Sequence, residues 1–334
     1  MSELEIPSLY CPFASRISPH ADALEAANLA WLVRLHLVPA GSAAALVDRA
    51  RFGRLAARAY PDASLDMLGI AAAWATWLFL RDDQCDEGGI ASDASAMRVL
   101  SDHQIDVLAG QRPRGNDPLT AALVDLRERM LAHGGGRWMS RFLANVQDYF
   151  DASVWEADNR AHGRIPDVET YIRLRDLTGA VKTCFDIFEL VEGPLAIDAR
   201  YDAHLSRLMQ LANRAICWSN DLFSIHKELA HGDVHNLVIV LQHASNLPLR
   251  DAITVAARMH DDAIRAFAHH EQRLIEGDAP PSMRRFVAAL QGWVRANLDW
   301  SIETGRYATQ PIETREPHGG VTQAKRSPVH VDTV

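Results

Sequence analysis

Apolar residues recur at helical spacing along almost the whole of this 334-residue chain. No stretch alternates apolar and polar residues between turn signals, so there is no pattern from which to build a sheet. Such a chain must bury its apolar stripes helix against helix, which predicts an all-α fold. Tyr171, Leu174, Leu177 and Val181 make one such stripe. Ser18-Pro19 reads as a cap followed by proline at the first helical position, opening a run through about Val38. Further helices are predicted over about 43–58, 63–84, 118–133, 137–162, 167–192, 200–230, 234–245, 249–275 and 281–307. Breaks fall at Gly88-Gly89, Gly115 to Pro118, Gly134-Gly135-Gly136, Gly163 to Pro166 and Asp278 to Pro281. None is long enough for a domain linker, and no internal repeat is present. The expectation is an N-terminal segment over 1–15, one helical domain over 16–309, and a polar, aperiodic tail over 310–334 that is expected to be disordered.

Composition narrows the function. The net charge of −9 argues against a nucleic-acid surface, where a basic stripe is needed. It does not argue against an anionic substrate, because bound cations can supply positive charge locally. Cys11, Cys85, Cys184 and Cys217 are scattered and form no CxxC pair, so a disulfide framework or zinc knuckle is not indicated and a reducing compartment fits. The N-terminus lacks the charged-then-apolar pattern of a secretory signal. The longest apolar run, Met67 to Leu80, falls short of the ~20 residues of a bilayer span. A cytoplasmic protein without a membrane span is expected.

Two clusters of oxygen-bearing side chains stand out. The first, Asp82-Asp83-Gln84-Cys85-Asp86-Glu87, follows the almost wholly apolar Trp77-Leu78-Phe79-Leu80. Asp82 and Asp86 lie one helical turn apart, as do Asp83 and Glu87, and carboxylates so crowded repel one another unless cations intervene. In the second, Asn220, Ser224 and Glu228 recur at i, i+4 and i+8 and so stack along one helix face. An amide oxygen, a hydroxyl and a carboxylate are hard ligands of the kind that suits Mg²⁺. Either cluster alone could be a solvated polar face. Together, each beside an apolar or aromatic face (Phe79; Trp218 and Phe223), they outline a trap for Mg²⁺ and a diphosphate.

Taken with their order, these segments resemble the bacterial class I terpene synthases, or terpene cyclases. Asp82-Asp83-Gln84-Cys85-Asp86 is similar to the family's DDxxD motif, and Asn220 to Glu228 matches its NDxxSxxKE motif at every defined position. Arg175-Asp176-Leu177-Thr178-Gly179 resembles the diphosphate-sensor segment, with Thr178 as linker, where the family often has an acidic residue, and Gly179 as the small effector. Arg306-Tyr307 resembles the terminal pair that closes over the diphosphate. The motifs span residues 82 to 307, most of the patterned chain.

The resemblance implies a single helical domain and a soluble Mg²⁺-dependent lyase of isoprenoid biosynthesis. Such an enzyme ionises a linear prenyl diphosphate, with farnesyl diphosphate and a sesquiterpene product the first expectation. By the same resemblance Asp82, Asp83 and Asp86 would hold two Mg²⁺ ions and Asn220, Ser224 and Glu228 a third, while Arg175, Lys227, Arg306 and Tyr307 would bind the diphosphate. A homodimer is left open. The carbocation would need an apolar, water-free cavity with aromatic faces. Phe79 and Trp300 are the candidates for those faces, with Trp74, Trp77 and Phe150 behind them and ordinary core packing as the plainer role for each.

Other features carry less. His231 and His235 have metal-ligand spacing but flank a Gly-Asp loop, and His260-Asp261-Asp262 and His269-His270-Glu271 read as a solvated helix face. No GxGxxG, Walker loop or GxSxG elbow is present. A prenyl-chain-elongating synthase would carry a second aspartate-rich motif where this chain has Asn220, Ser224 and Glu228, and a class II cyclase would need DxDD. A passive binder of prenyl diphosphates would have no use for three metal sites.

Overall fold

The computed structural model describes residues 6–87, 89–193, 203–276 and 280–307; the predicted tail over 310–334 lies outside the described residues. Among the described residues there are twelve helices and no strand: α1 (Ala21–Arg34), α2 (Ala40–Ala50), α3 (Phe52–Ala59), α4 (Leu65–Glu87), α5 (Ala94–Ala109), α6 (Pro118–Ala161), α7 (Val168–Thr178), α8 (Val181–Glu192), α9 (Ala203–His231), α10 (Leu237–Ser245), α11 (Leu249–Glu276) and α12 (Pro281–Glu303). The all-α expectation holds.

The helices close a ring. α3 packs on α4, α4 on α6, α6 on α7 and α8, α8 on α9, α9 on α12, and α12 back on α3. Large aromatics weld its walls. Trp74 and Trp77 stack at 5.2 Å with their N–H groups donating to Thr183 Oγ1 and the Leu119 carbonyl, so both bury their bulk without leaving a polar atom unpaired. Burial of side chains this size stabilises by roughly 1.5–3 kcal/mol each.

Where prediction and structure part, the reasons are local. The span predicted as one helix over 167–192 is two, because Ala180 adopts a left-handed conformation (φ 54°, ψ 6°) that an L-residue occupies only at a cost of about 1–2 kcal/mol. Periodicity continues through the break, so it left no mark in the apolar pattern. Arg51, likewise left-handed at φ 54°, divides the predicted 43–58 helix into α2 and α3. The glycine break predicted near 134–136 is present at Gly135 (φ 68°, ψ 178°), between the two halves of α6. The last helix stops at Glu303, and Thr304 turns the chain into an extended conformation that carries Arg306 and Tyr307 away from the helix axis.

α5 was not anticipated. It is capped by Asp93, whose carboxylate accepts from the Ala96 N–H, and ended by Gly110 in a left-handed conformation. Its buried face contains Ser101 and Gln104 alongside Met97, Val107 and Leu108. The polar pair serves Arg81, a buried cation that donates to Gln104 Oε1 (2.8 Å), Ser101 Oγ (3.0 Å) and Tyr149 Oη (3.2 Å) and lies 4.3 Å from the Phe150 ring centroid. Partnering a buried guanidinium erased the apolar stripe that would have announced the helix.

Candidate active site

Two cavities meet inside the ring. The outer one, about 550 Å³, is polar and lies between the end of α4 and the C-terminal half of α9. Asp82, Asp83, Arg175, Thr178, Asn220, Lys227 and Glu228 line it, with Arg160 and Asp233 at its far side. Asp82 is 60 % exposed. Asp83 receives both arms of the Arg306 guanidinium at 2.7 and 2.8 Å, and Lys227 Nζ stands 3.5 Å away. Burial alone would raise the Asp83 carboxyl, yet the hydrogen bonds and charge of Arg306, with Lys227, hold it below the ordinary carboxylate value. Arg306 also lies 4.8 Å from the Phe79 ring centroid, so one residue ties the chain end to both the acidic cluster and the aromatic beneath it.

On the facing wall, Arg175 is fixed by a carboxylate that the motif reading left without a role. Asp221 is fully buried and accepts from Arg175 Nε (3.0 Å), Tyr171 Oη (2.6 Å) and the Leu237 N–H (3.1 Å). Arg175 Nη2 then donates to Asn220 Oδ1 at 2.9 Å, and Asn220 Nδ2 donates to Tyr307 Oη at 2.6 Å. A continuous chain of hydrogen bonds therefore runs from the core through Arg175 and Asn220 to the C-terminal segment. Asn236, the cap of α10, donates to Glu228 Oε2 (2.6 Å) and to the Asp221 carbonyl (2.7 Å). Removal from water pushes the Glu228 carboxyl up to about 8, with the negative charge of Asp221 adding to the effect against hydrogen bonds from Ser224 and Asn236.

The inner cavity, about 130 Å³, is mostly apolar. Leu55, Leu78, Phe79, Val181, Ile216 and Trp293 supply its hydrocarbon and aromatic walls, and Asp82, Arg175, Thr178 and Asn220 belong to both cavities. Phe79 is stacked on Phe52 (centroids 4.7 Å, 11° between planes), and Trp300 sits 5.2 Å behind it. Gly179 and Ala180 form the lining at the α7–α8 break. A methyl group at Gly179 would stand 2.3 Å from Cys217 Sγ, so the close approach of α7 to α9 demands glycine there.

The donor set suits a hard divalent cation. Asn220 and Glu228 line the mouth from α9, with Asp82 and Asp83 opposite and Ser224 between them in sequence on the same helix, and all five offer oxygen. Ser224 is buried and at present donates to the Asn220 carbonyl at 2.7 Å. Asp86 belongs to the last turn of α4, and its side chain lies outside the described residues.

Of the sequence-selected residues, Asp82, Asp83, Phe79, Arg175, Thr178, Gly179, Asn220, Lys227 and Glu228 line the two cavities, and Arg306 and Tyr307 bond to Asp83 and Asn220 there. Ser224 is buried outside both linings, and Trp300 stands behind Phe79, its indole N–H donating to the Ala50 carbonyl. Trp74, Trp77 and Phe150 are core, with no surface in either cavity. His231 ends α9 and His235 precedes α10, and both border the mouth. His260 is buried against Asp261 rather than solvated, because its side of α11 packs inward. Asp221, Tyr149, Cys217, Trp293 and Asn297 escaped sequence reasoning. Only Asp221, inside the NDxxSxxKE segment, offered a local signal.

Comparison with known proteins agrees with this arrangement. A family model described as terpene synthase family 2, C-terminal metal binding, matches residues 73–266. The chain is 42% identical over 304 residues to a (+)-T-muurolol synthase of Roseiflexus castenholzii, named as cyclising (2E,6E)-farnesyl diphosphate, covering 90% of this chain and 93% of that one. It is 33% identical to a germacrene A synthase of Nostoc punctiforme, covering 92% and 96%. Among solved structures, a cucumene synthase variant superposes with a TM-score of 0.79 at 27% identity, over 89% of this chain and 99% of that chain. Among the described residues no helix is long and apolar enough to cross a membrane.

Proposed function

This chain belongs to the terpene synthase family, and on that premise we propose that it is a Mg²⁺-dependent class I cyclase that ionises farnesyl diphosphate and closes the resulting cation into a cyclic terpene. The observation that carries the reading is the direct junction of a polar, cation-ready mouth with an apolar chamber through Asp82, Arg175, Thr178 and Asn220. A substrate with an anionic head and a hydrocarbon tail is the molecule that satisfies both halves at once.

In this reading Asp82, Asp83 and Asp86 would hold two Mg²⁺ ions and Asn220, Ser224 and Glu228 a third. When bound, the metal supplies Lewis-acid stabilisation of the negative charge that develops on the departing diphosphate. Arg175, anchored by Asp221 and Asn220 at the edge of the mouth, would donate its remaining guanidinium N–H groups to the diphosphate. Lys227 adds a point charge, and Arg306 with Tyr307 closes the entrance from the chain end. Behind them the apolar lining would keep bulk water from the cation, and Phe79 brings an aromatic ring into that lining. The apolar wall, rather than any titrating group, guides the path from the first cation to the last.

Incubating the purified protein and Mg²⁺ separately with the C10, C15 and C20 prenyl diphosphates, and analysing extracts by gas chromatography with mass detection, tests the reaction and the chain length together. The expected result is a chelator-sensitive cyclic product from the C15 substrate. Longer prenyl diphosphates formed on adding isopentenyl diphosphate would instead identify a chain-elongating synthase.

A further inference from the structure

Asn297 lines the chamber with its amide, and the donor half of that amide is committed to the wall. Its side chain lies in the middle of α12, only 6% exposed, and lines the inner cavity together with Trp293 one turn earlier. Nδ2 donates to Ser219 Oγ at 2.8 Å and to the Ile216 carbonyl at 3.4 Å, clamping α12 to α9. No donor among the described residues reaches Oδ1, the acceptor half of the same amide. A clamp needs only the donor half. An asparagine is a poor helix former, and an acceptor held out of bulk water without a partner is costly. An amide oxygen facing an apolar chamber is the group that keeps a single water molecule where hydrocarbon alone would leave none. Across the same chamber Tyr149 repeats the pattern with opposite polarity: its oxygen accepts from Arg81, and its O–H has no acceptor among the described residues. The Trp293 indole N–H, buried and without a partner among the described residues, lines the same chamber, whose other polar side chains, Asp82, Arg175, Thr178 and Asn220, are shared with the mouth.

We infer that Asn297 is a positioning residue that holds a water molecule inside the chamber, and that this water ends the reaction, so that the product is a terpene alcohol. The inference rests on the cyclase reading above. The water oxygen gives a lone pair to the cationic carbon and forms the C–O bond. One O–H bond of the resulting oxonium then breaks, and its proton passes to the diphosphate released in the same turnover. No oxidant or reductant is needed. The competing end, loss of a proton from a neighbouring carbon, gives a hydrocarbon and requires no held water.

The test is turnover of farnesyl diphosphate with Mg²⁺ by the full chain in water enriched in heavy oxygen, with released diphosphate and extracted products both quantified. The wild type is expected to give an alcohol carrying the heavy isotope. Asn297→Leu, which removes the acceptor, should still release diphosphate while its alcohol-to-hydrocarbon ratio falls about tenfold or more, the size expected for losing one hydrogen bond to a held water. Ser219→Ala weakens the clamp but leaves Oδ1, and should keep the alcohol. An unchanged ratio in Asn297→Leu overturns the inference, as does a wild type that makes only hydrocarbon. Equal loss of alcohol in both variants reduces Asn297 to the clamp and overturns it too. If Asn297→Leu does not fold, Asn297→Ala, which also removes Oδ1, is read against Ser219→Ala in the same way. A wild type that releases no diphosphate would sink the cyclase reading itself, and the inference with it.

Discussion

The mouth and the chamber are built from the same ring of helices but by different means. At the mouth, charge and hydrogen bonding determine residue type: the Arg306 fork on Asp83, the Asp221–Arg175–Asn220–Tyr307 chain and the Asn236 cap on Glu228 each tolerate few alternatives. In the chamber the requirement is shape, met by Leu55, Leu78, Phe79, Val181, Ile216 and Trp293 from five different helices. The contrast implies a division of labour. On the proposed function, the mouth would govern whether the substrate ionises and the chamber what the cation becomes.

The largest effect expected from breaking this comparison is at the mouth. Removing the divalent metal with excess chelator, or replacing Asp82 by Ala, should lower diphosphate release by roughly 10³-fold or more, since preorganised charge stabilisation is lost. Circular dichroism should report an intact helical fold, because Asp82 is largely exposed. Near-normal release in Asp82→Ala would remove it from the metal set.

Next is the buried foundation beneath the mouth. Asp221→Ala leaves Arg175 without its buried counter-ion and Tyr171 Oη without its acceptor, and should destabilise the protein by about 3–5 kcal/mol in denaturant titration. A change below about 1 kcal/mol would mean that the pair is dispensable to the fold.

At the seam between the two regions, Gly179→Ala forces a methyl group against Cys217 Sγ. The expected outcome is an altered product mixture and a rate lowered about tenfold, with substantial recovery in the double variant Gly179→Ala/Cys217→Ala, because contacting residues couple. Failure of the second substitution to restore either quantity would place the effect elsewhere.

The smallest effect sharpens the comparison as a control outside both cavities. Burial holds the His260 imidazole below its ordinary value, against a smaller upward pull from Asp261. The unfolded chain therefore takes up a proton near pH 6.5 that the folded chain resists, so stability is full above that value and falls as the pH drops toward the folded pKa. Denaturant midpoints of the wild type should fall between about pH 7.5 and 5.5 more than those of His260→Leu, while the product mixture stays unchanged. Equal pH dependence in the two proteins would contradict the assignment.

What the sequence revealed follows the same division. Asp82, Asp83, Asn220, Lys227 and Glu228 were legible because their chemistry fixes both residue type and helical spacing within short segments. Arg306 and Tyr307 were legible as a pair, although the end of α12 at Glu303 was not, since nothing in the apolar pattern marks where Thr304 turns extended. The chamber was almost invisible. Phe79 was found because it precedes an acidic cluster, whereas Tyr149, Cys217, Trp293 and Asn297 come from separate helices and look like ordinary core residues in isolation. The left-handed Ala180 and the polar buried face of α5 hid for a related reason: each answers a demand set by tertiary neighbours rather than by adjacent sequence.

The most direct test measures diphosphate release and product mixture on the same samples of wild type, Asn220→Ala and Phe79→Ala incubated with farnesyl diphosphate and Mg²⁺. The account predicts that Asn220→Ala loses nearly all release while any residual product keeps the wild-type mixture. Phe79→Ala should retain release within about tenfold yet yield a different mixture. The reverse pattern, or an unchanged mixture in Phe79→Ala, would contradict the division between a mouth that ionises and a chamber that shapes.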